Sequence, residues 1–213
     1  GAWWVQDAGA TLPVQLFGEL DGANVLDVCA APGGKTAQLL CSGANVTAID
    51  ISNVRIRRLK QNLDRLGLKA ELIHADIKKW TTSRLFDSIF LDAPCSATGT
   101  IRRNPDVLIN KTYEDVKKLS IVQMEILQKV SKLVRPGGQL VYCTCSLQYE
   151  EGEAQVDRFL SKNTGFERDP ISLHEIGIFS DAIDVNGDLR LLPYHLDQNE
   201  GVDGFFASRL TRK

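Results

Sequence analysis

Residues 24–40 read NVLDVCAAPGGKTAQLL, and their reading decides the fold. Val25 to Cys29 is a short apolar run broken by one acid, Asp27, which suits a strand buried in a sheet. Ala30 to Gly34 carries small side chains, a proline and two glycines, so the backbone can turn tightly and lie close to a ligand. Lys35 to Leu40 reads as the first turns of a helix, with Leu39 and Leu40 as core contacts. Such a strand, turn and helix start expose backbone N–H groups above a sheet edge, where open α/β sheets bind ligands. The dinucleotide pattern G-x-G-x-x-G is absent. The phosphate-loop pattern nearly fits at Gly34-Lys35-Thr36, but its first glycine falls on Cys29, so a nucleoside triphosphatase is a weak reading. On this string alone a bare turn and a nucleotide-like ligand weigh equally, and the downstream residues decide.

Working outward, Asn45 to Asp50 is a second strand ending in an acid, a position that commonly accepts from ribose hydroxyls in nucleotide-binding α/β folds. Ser52 caps a helix over Asn53 to Leu66, closed by Gly67. Its Arg55, Arg57, Arg58 and Lys60 read first as a solvated face. Ala70 to Ala75 is a third strand with Asp76 at its end and a structural His74. Asp87 to Asp92 is a fourth, followed by Ala93-Pro94-Cys95-Ser96-Ala97-Thr98-Gly99. Glu114 to Val134 forms a long amphipathic helix stopped by Arg135-Pro136-Gly137-Gly138. Gln139 to Cys145 is a fifth strand, Glu150 to Leu160 a helix, and Leu189 to Leu192 and Phe205 to Leu210 closing strands. Ahead of the first strand, Asp7 caps a helix to about Leu20, with Leu12, Leu16, Phe17 and Leu20 on one side and Pro13 as an objection. The alternation predicts one α/β domain over residues 1–213, a three-layer α/β/α sandwich on a mostly parallel sheet.

At 213 residues, with 43% hydrophobic and 24% charged, the composition suits one substantial core and excludes disorder. No apolar run has the length of a membrane span and nothing resembles a signal peptide, so a cytoplasmic location is expected. Five cysteines without a C-x-x-C pair fit neither a disulfide framework nor a zinc ribbon, and no metal is expected. Cys29 and Cys143 read as core thiols and Cys41 as bland. A net charge of −2 gives no global signal for nucleic acid, so any such contact needs a local patch or a further segment. The start at Gly1 suggests a piece of a longer protein.

Three strands end in Asp50, Asp76 and Asp92, and Cys95 and Cys145 follow or end strands on the same edge. Either cysteine alone reads as a packed thiol; with the glycine turn and three acids, the pair points to chemistry.

VLDVCAAPGGKT, FLDAPCSATGTIRRNPD, RPGGQLVYCTCS and DGFFASRL together resemble the RNA 5-methylcytosine methyltransferases of the Sun/Fmu type, over nearly the whole chain. The resemblance implies a Rossmann-like methyltransferase fold, S-adenosylmethionine as cofactor and RNA as partner. It implies that Cys29, Ala30, Ala31, Pro32, Gly33, Gly34 and Lys35 wrap the methionine part of the cofactor. By the same resemblance, Asp50 holds the ribose hydroxyls, Asp76 lies by the adenine, and Arg55 is a further neighbour. Asp92 then faces the cytosine, protonated or bridging a proton, Cys145 is the nucleophile, and Cys95 helps release the product. Cys143 receives no role. Ribosomal RNA, 16S above all, is the implied target, with transfer RNA as the alternative. Family members usually carry an N-terminal RNA-binding domain, expected here outside the chain. Arg102, Arg103 and Lys111 are the local RNA contacts expected within it, and the expected state is a monomer. Two rival classes remain: a methyltransferase for a protein or small molecule, which needs no nucleophile, and a silent RNA-binding module, which needs neither cysteine.

Overall fold

The computed structural model describes residues 1–199 and 201–213. Eight strands form one sheet: β1 Asn24–Val28, β2 Asn45–Asp50, β3 Glu71–His74, β4 Phe86–Asp92, β5 Val134–Thr144, β6 Phe166–Arg168, β7 Leu189–Leu191 and β8 Phe205–Arg212. Their order is β3-β2-β1-β4-β5-β8-β6, with β7 also on β8. The strands from β3 to β5 run parallel, while β8 is antiparallel to β5, β6 and β7. The chain winds outward from β1 to β3 and then returns to place β4 on the other side of β1. That reversal opens a crevice above the carboxyl ends of β1 and β4, where ligands of doubly wound sheets sit.

Among the described residues, five α-helices pack on it, α1 Ala8–Gln15, α2 Gly34–Cys41, α3 Asn53–Leu66, α5 Tyr113–Ser131 and α6 Glu153–Lys162, and a short α4, Val107–Asn110, has no buried residue. Alternation along the strands sorts side chains to two faces. Val25 and Phe90 join Leu12, Leu39, Leu59 and Leu63 of α1, α2 and α3 in one core. Leu26, Val28, Ile89 and Leu91 join Leu127, Val130, Val156 and Phe159 of α5 and α6 in the other. The three layers and mostly parallel sheet match the sequence expectation. Leu127 has no exposed surface, so Leu127→Ala would cost about 2–5 kcal/mol.

Four boundaries differ from the sequence reading. The first helix has its expected cap, with Asp7 accepting from the Gly9 N–H, but it ends at Gln15 rather than near Leu20. Leu16 and Phe17 are still buried, so the apolar spacing reports burial and not helix length. The long helix ends at Ser131, because Val134 enters the sheet opposite Phe86. A register shift carries Arg135 to Gly138 as an irregular part of β5 before Gln139 pairs with Ser88. Residues 149–151 form a separate tight turn ahead of α6. The short edge strand β6 carries no signal of its own and was not anticipated.

Candidate active site

The turn after β1 is set by its backbone. Cys29 has φ +62° and Gly33 φ +103°, so the chain leaves the strand in left-handed geometry that only a glycine adopts freely. A Cβ on Gly33 would lie 3.0 Å from the Leu59 side chain of α3. The turn hangs on its neighbours: Ala31 N–H donates to Asp50 at 3.2 Å and Asn62 donates to the Pro32 carbonyl at 2.9 Å. Arg55 donates to the Ala31 carbonyl and lies 3.8 Å from Asp50. Beneath it, fully buried Asp27 accepts from the Thr36 hydroxyl at 2.6 Å, and burial pushes its carboxyl up to about 7.

Two cavities flank this turn and share Asp92 and Cys145 as lining residues. One, of about 380 Å³, is lined by Cys29, Asp50, Arg55, Asp76, Asp92, Cys95 and Cys145, with apolar walls from Ile51, Ile77 and Ile126. The other, of about 330 Å³, is lined by Ala30, Ala31, Pro32, Gly33, Gly34 and Lys35 together with Asp92 and Cys145. Thr100, Arg103, Asp203 and Phe205 close its far side. Every site residue named from the sequence therefore lies on one of two adjacent cavities.

Lys35 and Asp92 make an ion pair at 2.7 Å, with the Lys35 nitrogen 5.1 Å from the centre of the Phe205 ring. Burial works against the lysine charge and the Asp92 carboxylate for it; the balance raises Lys35 above its ordinary pKa. Asp92 is thus bridged directly to the Lys35 ammonium. Its other oxygen accepts from the Cys143 thiol at 3.6 Å, a residue to which sequence reasoning assigns no role. Burial and then Asp92 push that thiol well up, which keeps it protonated.

The Cys95 and Cys145 sulfurs are 3.5 Å apart although 50 residues separate them. The hydrogen bond to Cys145, then burial, raise the Cys95 pKa well above the usual thiol value. Cys95 accordingly keeps its proton. Cys29 departs from its reading as a core thiol: it lines the first cavity, and burial ahead of the neighbouring carboxylates pushes it up to about 12.

The expected RNA contacts are only partly free. Arg102 pairs with Asp7 at 3.0 Å and Asp203 at 3.4 Å, and Arg103 grips Asp203 through its Nε at 3.0 Å. Asp203 is buried, so these two exposed arginines neutralise an internal acid first; Lys111 is exposed as well. Sequence reasoning missed Asp27, Phe205, Asp203 and a buried acid, Glu151, which bonds to residues beside both thiols. Only DGFFASRL hinted at Asp203 and Phe205; nothing singled out Glu151. Among the described residues no cluster of three or more His, Cys, Asp or Glu could hold a metal, and no helix is long and apolar enough to cross a membrane.

Comparison with known proteins follows the same lines. A family model described as 16S rRNA methyltransferase RsmB/F matches residues 15–211. Ribosomal RNA small subunit methyltransferase B of Salmonella arizonae is 39% identical over 214 residues, covering 98% of this chain and 47% of that protein. The protein of the same name from Shewanella oneidensis is 42% identical over 176 residues, covering 80% of this chain and 41% of its own length. The chain thus spans about half the length of the curated relatives it matches, or less. The solved structure of NSun6 from Pyrococcus horikoshii with SFG superposes with a TM-score of 0.81 at 28% identity, covering 98% of this chain and 53% of that one.

Proposed function

The chain belongs to the 16S rRNA methyltransferase RsmB/F family, and on that premise we propose that residues 1–213 are a catalytic domain methylating carbon 5 of a cytosine in 16S ribosomal RNA, in the bacterial cytoplasm. The observation that carries this reading is the pair of thiols 3.5 Å apart, with Cys145 lining both cavities and Cys95 the first. A methyltransferase acting on an oxygen or nitrogen has no use for such a pair.

The first cavity suits S-adenosylmethionine by its donor set. Asp50 accepts from Ala31 N–H and Ser52 N–H, and its two oxygens have acceptor capacity left for vicinal ribose hydroxyls. Ile51, Ile77 and Ile126 offer apolar faces to a purine, with Asp76 at its edge. The glycine turn would hold the methionine end. When bound, S-adenosylmethionine supplies an electrophilic methyl carbon.

Carbon 5 of cytosine is a poor nucleophile until carbon 6 is attacked. In the second cavity the Cys145 thiolate forms a bond to carbon 6, and the electron pair of the 5,6 double bond becomes available at carbon 5. The Lys35–Asp92 pair offers the ring edge a donor and an acceptor, stabilising charge that develops on the ring nitrogen and amino group. Once carbon 5 has spent that pair on its bond to the methyl group, a base takes the carbon 5 proton, the C–H pair re-forms the 5,6 double bond, and Cys145 leaves as a thiolate with the pair of the carbon 6–sulfur bond. Cys95, still protonated, donates a hydrogen bond to that departing sulfur.

Bisulfite sequencing of 16S ribosomal RNA and transfer RNA from cells with and without the protein tests the target. One 16S cytosine losing its methyl group is the expected result. Loss confined to transfer RNA would move the substrate, and no change in either would overturn the reading.

A further inference from the structure

Glu151 has no exposed surface, and its partners are all neutral donors. Its carboxylate accepts the Ser96 hydroxyl at 2.5 Å, the Ser146 hydroxyl at 2.6 Å, the Ser96 backbone N–H at 3.0 Å and the Gln123 amide at 3.0 Å. The Gln123 amide also donates to the Pro94 carbonyl at 2.9 Å. The backbone carbonyl of Glu151 accepts the Tyr142 hydroxyl at 2.8 Å and the Thr144 hydroxyl at 3.3 Å. Glu151 therefore bonds directly to Ser96 beside Cys95 and to both neighbours of Cys145, Thr144 and Ser146, and reaches Pro94 on the other side of Cys95 through Gln123.

From this geometry we propose that Glu151 is a positioning residue, holding the loop of Cys95 and the loop of Cys145 in the register that keeps the two sulfurs in contact. The inference rests on the function proposed above, in which those thiols act in sequence on one cytosine. Burying a carboxylate is costly unless every lone pair finds a donor, and well-packed apolar groups would join two loops at least as stably. What four converging donors add is a fixed geometry. Because a carboxylate only accepts, it also fixes the direction of both serine hydroxyls, which must donate. No local hydrogen bond within either loop could do this, since the loops are 50 residues apart in sequence.

The test replaces the carboxylate by an amide of the same size. In Glu151→Gln one acceptor becomes an N–H donor facing a hydroxyl that now donates, so the two loops loosen without a cavity. Two rates are measured in the purified protein. The first is methylation of 16S RNA, where kcat should fall about 10- to 100-fold with KM for RNA and affinity for S-adenosylmethionine unchanged, as small misplacements of reacting groups do. The second is oxidation by diamide: Cys95 and Cys145 give up two protons and two electrons to form a disulfide while the diazene takes them up and becomes a hydrazine. Peptide mapping of that disulfide should show formation slowed about 10-fold or more, since exchange depends on access of one sulfur to the other. A merely stabilising residue would lower the melting temperature without changing this rate in the folded protein. If circular dichroism shows that Glu151→Gln does not fold, Ser146→Ala, which removes one donor, carries both measurements. Both rates falling together supports the proposal. A disulfide rate equal to the unaltered protein's overturns it whatever the RNA assay gives, as does slowed disulfide formation with unchanged turnover. Absence of RNA methylation by the unaltered protein would fault the proposed function alone, because the two disulfide rates still decide whether Glu151 holds the loops.

Discussion

The glycine turn and the two cysteine loops meet at the same sheet edge but are held there by opposite means. The turn owes its shape to backbone: left-handed Cys29 and Gly33, and an N–H at Ala31 that seats on Asp50. The cysteine loops owe theirs to side chains and close approach: Ser96 and Ser146 on Glu151, and the Gly99 N–H on the Cys145 carbonyl at 3.0 Å. A region shaped by its own backbone can bind a ligand before the rest of the site is in register. A region assembled from distant segments performs chemistry only once several contacts agree.

The largest effect expected from a single methyl group falls on the assembled region. A Cβ on Gly99 would lie 2.0 Å from the Gly204 carbonyl oxygen and 3.0 Å from that of Cys145, both backbone atoms that cannot swing aside. Gly99→Ala should therefore cost about 100-fold or more in turnover, the scale on which a displacement of about 1 Å acts. Gly67→Ala is its control: φ is +70°, but no atom lies within 4 Å of the added Cβ. It should cost about 1–2 kcal/mol of stability and nothing in rate. Denaturant melts and turnover on the two variants check both outcomes, and full activity in Gly99→Ala would mean that close approach does not set the loops.

A smaller and complementary effect is expected at the turn. Asp50→Ala should weaken S-adenosylmethionine binding by about 1.5–3 kcal/mol, measured by calorimetry, if charge-assisted ribose bonds are lost. The diamide-driven disulfide between Cys95 and Cys145 should form at its usual rate. Binding unchanged in Asp50→Ala would break the assignment of the first cavity.

The smallest effect concerns the support under the turn and appears as a pH dependence. Asp27 has a folded-state pKa of about 7 against an ordinary 3.8, so between those values the folded protein holds a proton that the unfolded chain releases. Its contribution to stability is full below pH 3.8 and is lost as pH rises through 7. Between pH 5 and 6 the slope should be about 1 kcal/mol less stability per pH unit from this group. Asp27→Asn should flatten the difference in urea melts at those two pH values. An identical slope in both proteins would show that Asp27 is ionised in the fold.

Local patterns explain what could be read from the sequence and what could not. The glycine turn, Asp50, Asp92 and the alternation of strands and helices depend on neighbours in sequence, so composition and period reveal them. The two thiols read as candidates for chemistry because both follow or end strands on one sheet edge, but their separate roles came through the resemblance and their contact was not legible, since nothing in either loop predicts an approach across 50 residues. Glu151 sat at the start of a segment read as a helix over 150–160, where an acid looks like ordinary first-turn charge. The tight turn at 149–151 directs it inward instead, and α6 begins at Glu153. Arg102 and Arg103 read as a basic patch because their counter-charge, Asp203, lies about a hundred residues away. Apolar spacing likewise identified Leu16 and Phe17 as buried while overstating the helix that precedes them.

The division of labour between the two thiols is tested most directly by trapping RNA on the protein. Cys145→Ala, Cys95→Ala and the unaltered protein are each incubated with 16S RNA and S-adenosylmethionine and run on a denaturing gel, with circular dichroism to establish folding. The account predicts a denaturant-resistant protein–RNA band in Cys95→Ala, where Cys145 attacks and methylation proceeds but release is slow. It predicts no band and no methylation in Cys145→Ala, with S-adenosylmethionine still bound. A band in Cys145→Ala and none in Cys95→Ala would contradict it, making Cys95 the nucleophile.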